Sequence, residues 1–100
     1  MRTAKEIKKE VAALKSVRAL LPKLSPHGHD NHACVNAQIE VLTTDITEDQ
    51  IFERGDVEAT PKARVWMNDV RDSAEAALKW KLGVSFEAPS VDWETMITKG

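Results

Sequence analysis

The sequence predicts an all-α protein, a small bundle of three to four helices with an irregular C-terminal tail. Three observations carry that expectation. Apolar residues recur at helical spacing, capping residues precede those stretches, and glycine or proline closes them. The chain of 100 residues suits a single helical domain over 1–100. A hydrophobic content of 42% supports a modest core, and only 5% aromatic residues make it a lean one. A domain this small leaves much surface exposed, so a homodimer is a natural supplement.

The first helix is expected over about 3–21. Thr3 and Glu6 form a capping box, in which each side chain satisfies a backbone donor of the other residue. Ile7, Val11, Leu14, Val17 and Leu21 follow at helical spacing, with Ala4, Ala13, Leu20 and Leu24 widening the stripe. Pro22 lacks an N–H and stops the helix. A loop with Ser25-Pro26 and Gly28 leads to Asp30, the N-cap of a second helix over 31–43. Val35, Ile39 and Leu42 form its inner stripe, flanked by Cys34, Ala37 and Val41. The short connection predicts an antiparallel pair.

Thr47 and Gln50 repeat the capping-box pattern and predict a short helix over 47–54, with Ile51 and Phe52 inward and Gly55 as its stop. Asp56 to Thr60 reads as a loop. Thr60-Pro61 then reads as N-cap and first residue of a long helix over 61–82, closed by Gly83. Trp66, Met67, Val70, Ala74, Ala77 and Leu78 share one face of it, with Trp80 at the margin. The tail is 84–100. Val84 to Phe86 reads as extended, Pro89 as a break, and Asp92 to Ile97 as a last helical turn carrying Trp93 inward.

Charge is unevenly spread. Residues 1–23 hold seven basic groups against Glu6 and Glu10, a net of +5, so the other 77 residues carry −7 of the total −2. Between Leu24 and Glu53 there is no lysine or arginine. No apolar run approaches the roughly 20 residues of a membrane-spanning helix. The charged first segment predicts no secretory signal. A lone cysteine, Cys34, fits a reducing cytoplasm.

Four transition-metal ligand types, His27, His29, His32 and Cys34, fall within eight residues. The string resembles the H-x-H-x-D-H pattern of metallo-β-lactamase-fold hydrolases, but Asn31 stands where that pattern has an aspartate, and that fold needs a far longer chain. Tetrahedral zinc is usually held by two ligand pairs from two elements, and a second pair is missing here. The four are therefore read as loop and first-turn residues rather than a metal site, and no cofactor is expected. Neither a glycine-rich phosphate loop nor a nucleophile elbow can be written. Glu48, Asp49, Glu53 and Asp56 lack the spacing of a calcium loop.

Two surfaces are candidates for binding. Trp66, Val70, Ala74, Ala77 and Trp80 line a helix face thinned by alanine, onto which a partner helix could settle. Lys5, Lys8, Lys9, Lys15 and Arg18 give the first helix a basic side suited to phosphates or an acidic partner.

Three stretches carry a resemblance. Asp30-Asn31-His32-Ala33 runs on to Ala37-Gln38-Ile39-Glu40-Val41-Leu42. Asp45 to Arg54 and Ala88-Pro89-Ser90 with Trp93 follow. Together, about a third of the chain, they resemble small uncharacterised proteins encoded by bacteriophages and prophages. That resemblance implies a mobile-element origin and stoichiometric binding to host or phage machinery, and it transfers no functional residue. The expectation is a non-catalytic, cytoplasmic protein-binding adaptor or inhibitor acting through helical surfaces on a host or phage protein. The alternative is a nucleic-acid-binding accessory protein using the basic helix.

Overall fold

The computed structural model describes residues 1–54 and 66–99. Five helices order the described chain: α1 Ala4–Leu20, α2 Asn31–Thr43, α3 Glu48–Glu53, α4 Asn68–Lys81 and α5 Pro89–Lys99. Strands are absent among the described residues, apart from an isolated bridge between Leu24 and Asp30. The expected stop at Gly55, the loop 56–60 and positions 61–65 of the expected long helix lie outside the described residues.

Both capping boxes form. Thr3 Oγ1 accepts from Glu6 N at 3.2 Å while Glu6 Oε1 accepts from Thr3 N at 3.2 Å. These hydrogen bonds to Thr3 hold the Glu6 carboxyl below the usual glutamate range. Thr47 and Gln50 pair in the same way at the head of α3.

The turn from α1 to α2 explains the run Asp30-Asn31-His32. Leu21 leaves the helix in an extended conformation, as the residue before Pro22 must, and the carbonyls beyond it need donors. His32 Nε2 donates to Leu21 O at 2.9 Å, which requires the Nε2–H form, and Asn31 Nδ2 donates to Pro22 O at 3.1 Å. Asn31 N donates to Lys23 O at 2.8 Å. Asp30 caps α2 by accepting from Ala33 N at 2.9 Å. Three consecutive residues thus close one helix and open the next. The two are antiparallel, since Arg18 reaches Asn36.

Helices α2 and α4 run parallel. Cys34 lies near Asp69, Gln38 binds the Ser73 carbonyl, and Lys81 binds the Val41 carbonyl. A parallel pair needs a long connection, and residues 44–67, containing α3, supply it. The core lies where α1, α2 and α4 meet, built from Leu14, Val17, Val35, Val41, Ala74 and Ala77 with Ile51 from α3. Phe52, expected inward beside Ile51, is exposed instead, because a helix of six residues offers the core only one position.

Two expectations need correction. Trp66 and Met67 are not helical, and α4 begins at Asn68. Trp66 N donates to Arg54 O at 2.8 Å, and its ring lies under the Arg54 guanidinium, which also pairs with Glu40 at 2.7 Å. Those ties hold the segment before α4 in an extended path and leave Met67 exposed. The tail is more regular than expected: the helical turn read over Asp92 to Ile97 is part of a longer helix, α5 Pro89–Lys99, which Pro89 opens rather than breaks. Pro89 stands at the first helical position, where its fixed φ helps and its missing N–H costs nothing. The buried Glu10 carboxylate of α1 then accepts from Ser90 N at 2.8 Å and Ser90 Oγ at 2.6 Å, capping α5 from across the fold.

Among the described residues no helix is long and apolar enough to cross a membrane. Replacing Asn31 by alanine removes the donor to Pro22 O and disturbs the α1–α2 turn. Chemical unfolding is expected to show a loss of about 1–3 kcal/mol, and an unchanged midpoint would contradict this role.

Candidate functional site

The alanine-thinned face of α4 is already covered. Val70, Ala74 and Ala77 pack against α2 of the same chain, and Trp66 and Trp80 are buried too. Trp80, expected at a partly exposed margin, lies under the Arg2 guanidinium, 5.1 Å from the ring centroid. The helix that approaches closely over the alanines is α2, so these five residues form the inner core and not a free surface.

The histidine cluster disperses. His27 is an exposed loop residue, and His32 is committed to the Leu21 carbonyl. His29 Nδ1 lies 3.1 Å from Asp69 Oδ2, and the same oxygen lies 4.0 Å from Cys34 Sγ. No group of three or more histidine, cysteine, aspartate or glutamate side chains among the described residues is placed to hold a metal ion. Burial pushes the Cys34 thiol above its ordinary range, and the charges of Asp69 and Asp30 add to that against a hydrogen bond from Ser73. The thiolate needed for nucleophilic chemistry is thereby disfavoured. Beside this group lies a cleft of about 620 Å³, lined by Lys23, His29, Asn36, Trp66 and Asp69 among others. Its polar groups are of mixed sign. Asp69, which joins His29 to Cys34, has no sequence signal of its own, because forty positions separate it from His29.

The basic side of α1 is only partly free. Lys5, Lys8, Lys9 and Lys15 are exposed, whereas Arg18 is half-buried and donates to Asn36 Oδ1 at 2.6 Å. Four lysines remain for an acidic partner.

A group of exposed apolar side chains lies where α1 begins and α4 ends. Helix α4 finishes in a Schellman motif: Val84 N donates to Lys79 O at 2.9 Å and Gly83 N to Trp80 O at 3.0 Å. Gly83 takes φ +84°, and a Cβ there would meet Met1 N at 3.3 Å, so glycine suits both the turn and the approach. Arg2 fastens the segment further, donating from Nε to Trp80 O at 3.1 Å and from Nη2 to Ser85 O at 2.8 Å. Around these ties Met1, Leu82, Val84 and Phe86 remain 84, 46, 71 and 92% exposed. The backbones of Leu82, Val84 and Ser85 are held by hydrogen bonds, while the four apolar side chains stand in water.

No protein-family model, curated protein or solved structure matches the chain. The site therefore has to be read from its own chemistry.

The sequence carries one signal for the apolar end. Val84 and Phe86 sit between Gly83 and Pro89, outside every helical stripe, so no amphipathic face was available to bury them. Near it the Glu87 carboxyl is raised above the usual range by hydrogen bonding to Asp92 and by that residue's charge.

A direct check on Cys34 follows from its burial and raised pKa. Alkylation by iodoacetamide at neutral pH is expected to be much slower in the folded chain than in denaturant. Equal rates in both states would show the thiol to be open and reactive.

Proposed function

We propose that the protein is a non-catalytic binding protein of the cytoplasm, an adaptor or inhibitor of phage or prophage origin. It engages another protein through the end formed by Met1, Leu82, Val84 and Phe86. The observation that carries this reading is Phe86, almost wholly exposed on a segment whose backbone is pinned by Arg2 and the α4 terminus. Monomers seldom leave a group of large apolar side chains in water without a use. Aromatic residues and methionine are also enriched where proteins meet. A pinned backbone lowers the entropy lost on binding, so a small apolar surface can suffice. The raised Cys34 thiol supports a non-catalytic reading, since it works against the most reactive side chain present. The phage origin rests on the resemblance of the segments around Asp30–Leu42, Asp45–Arg54 and Ala88–Trp93.

The alternative, nucleic-acid binding through Lys5, Lys8, Lys9 and Lys15, is favoured by the exposure of all four on one helix. One set of measurements separates the readings. Paired Val84→Ser and Phe86→Ser substitutions are expected to keep the helical circular dichroism and abolish binding of a protein partner at this end, whether another copy of the chain or a host protein. A partner retained by this variant would contradict the reading. Labelled duplex that binds the wild type and dissociates steeply with added salt would move the assignment to the lysines.

A further inference from the structure

The apolar end has flanks of opposite charge, and Lys81 shows how they are arranged. Its backbone carbonyl accepts from Arg2 N at 2.9 Å. Its ammonium donates to Val41 O at 3.1 Å and Thr44 O at 2.7 Å. The C-terminus of α4 therefore sits between the start of α1 and the end of α2. On the α1 side Lys5, Lys8 and Lys9 are exposed, and Glu6 there is already occupied by Thr3 and Arg2. On the other side Asp45, after α2, and Glu48 and Asp49, at the head of α3, are exposed, and the Lys81 ammonium beside Thr44 leaves this flank net acidic. Lys79 and Glu87, nearer the centre, are of opposite sign.

A surface with an apolar centre, a basic flank and an acidic flank is complementary to itself. Rotation by half a turn about an axis through the centre brings apolar residues together and sets each basic flank against the other copy's acidic flank. Isologous contacts of two-fold dimers have this form. An anionic bilayer or a nucleic acid would gain from the lysines but be repelled by the acids beside the same patch.

We propose, building on the protein-binding reading above, that the occupant of this end is a second copy of the chain. The two copies are joined through Leu82, Val84, Phe86 and Met1, with Lys5, Lys8 and Lys9 of each facing Asp45, Glu48 and Asp49 of the other. Charge pairs at the rim of such an interface steer association and fix its register, while the apolar centre supplies the adhesion.

Sedimentation velocity on the full chain across a concentration series tests this. The wild type is expected to show a reversible species of twice the monomer mass. Phe86→Glu, at a position too exposed to threaten folding, is expected to weaken that species by roughly tenfold or more. Two charge-reversed chains give the sharper test. One carries Lys5→Glu, Lys8→Glu and Lys9→Glu, which makes both flanks acidic. The other carries Asp45→Lys, Glu48→Lys and Asp49→Lys, which makes both basic. Each alone is expected to be monomeric, and an equimolar mixture to dimerise.

A wild type monomeric at every concentration overturns the proposal, as does a dimer unaffected by Phe86→Glu and both reversals. Binding of the monomer to phosphatidylglycerol vesicles through Phe86 overturns it in favour of a lipid surface. A monomer that still captures a host protein through Val84 and Phe86 overturns self-association and leaves the protein-binding reading standing.

Discussion

The arrangement of this fold depends on a buried side-chain amide. Gln38, at the middle of α2, donates from Nε2 to the Ser73 carbonyl of α4 at 3.1 Å and accepts from Trp93 Nε1 of α5 at 2.7 Å. One residue thus spans three helices, its own side chain and the Trp93 indole both buried. A buried amide left without partners costs several times what a satisfied one contributes, so the fold that satisfies it is favoured over rearrangements that do not. Glu10 acts alongside it, seating the head of α5 against α1 through Ser90. Helix α5 offers modest apolar area, chiefly Trp93 and Ile97, and these polar contacts decide where that area lands.

The same contrast between local and distant interactions explains what the sequence could reveal. Helices α1, α2 and α3 were legible because their signals are local: a capping box at Thr3 and Glu6, an N-cap at Asp30, another box at Thr47 and Gln50. The start of α4 was not legible. Trp66 and Met67 fit the helical stripe, yet the Arg54 carbonyl and guanidinium draw Trp66 out of the helix. Asp92 to Ile97 is legible as a helical turn, but the start of α5 is hidden for the same reason, since the group that caps it is a glutamate some eighty positions earlier in the chain. Asn31, Gln38 and Glu10 are polar residues whose burial no periodicity discloses.

The candidate binding surface shows the converse. The stripe of Trp66, Val70, Ala74, Ala77 and Trp80 is covered, by α2 and by the guanidinium groups of Arg54 and Arg2. Stripe membership does not settle exposure: Leu20, Leu24 and Met67 fit a stripe and stand in water, as do Val84 and Phe86, which fit none. Val84 and Phe86 lie in the only link between α4 and α5, whose path is set by the Schellman turn and by Arg2 and Ser90 at its two ends. The core and the candidate binding surface are therefore coupled: the interactions that fasten α5 also hold Phe86 outward. The basic and acidic parts of the chain, conspicuous as a split in the sequence, meet on either side of Lys81.

A double-mutant cycle on Gln38 and Trp93 measures this central claim most directly. Trp93→Phe keeps a ring in the core and removes the indole donor, Gln38→Met keeps the length and removes the amide, and chemical unfolding reports each variant. The losses are expected not to add, with a coupling of about 1–2 kcal/mol. Losses that sum to within about 0.3 kcal/mol would mean that α5 is placed by apolar packing alone and that the amide plays no organising part.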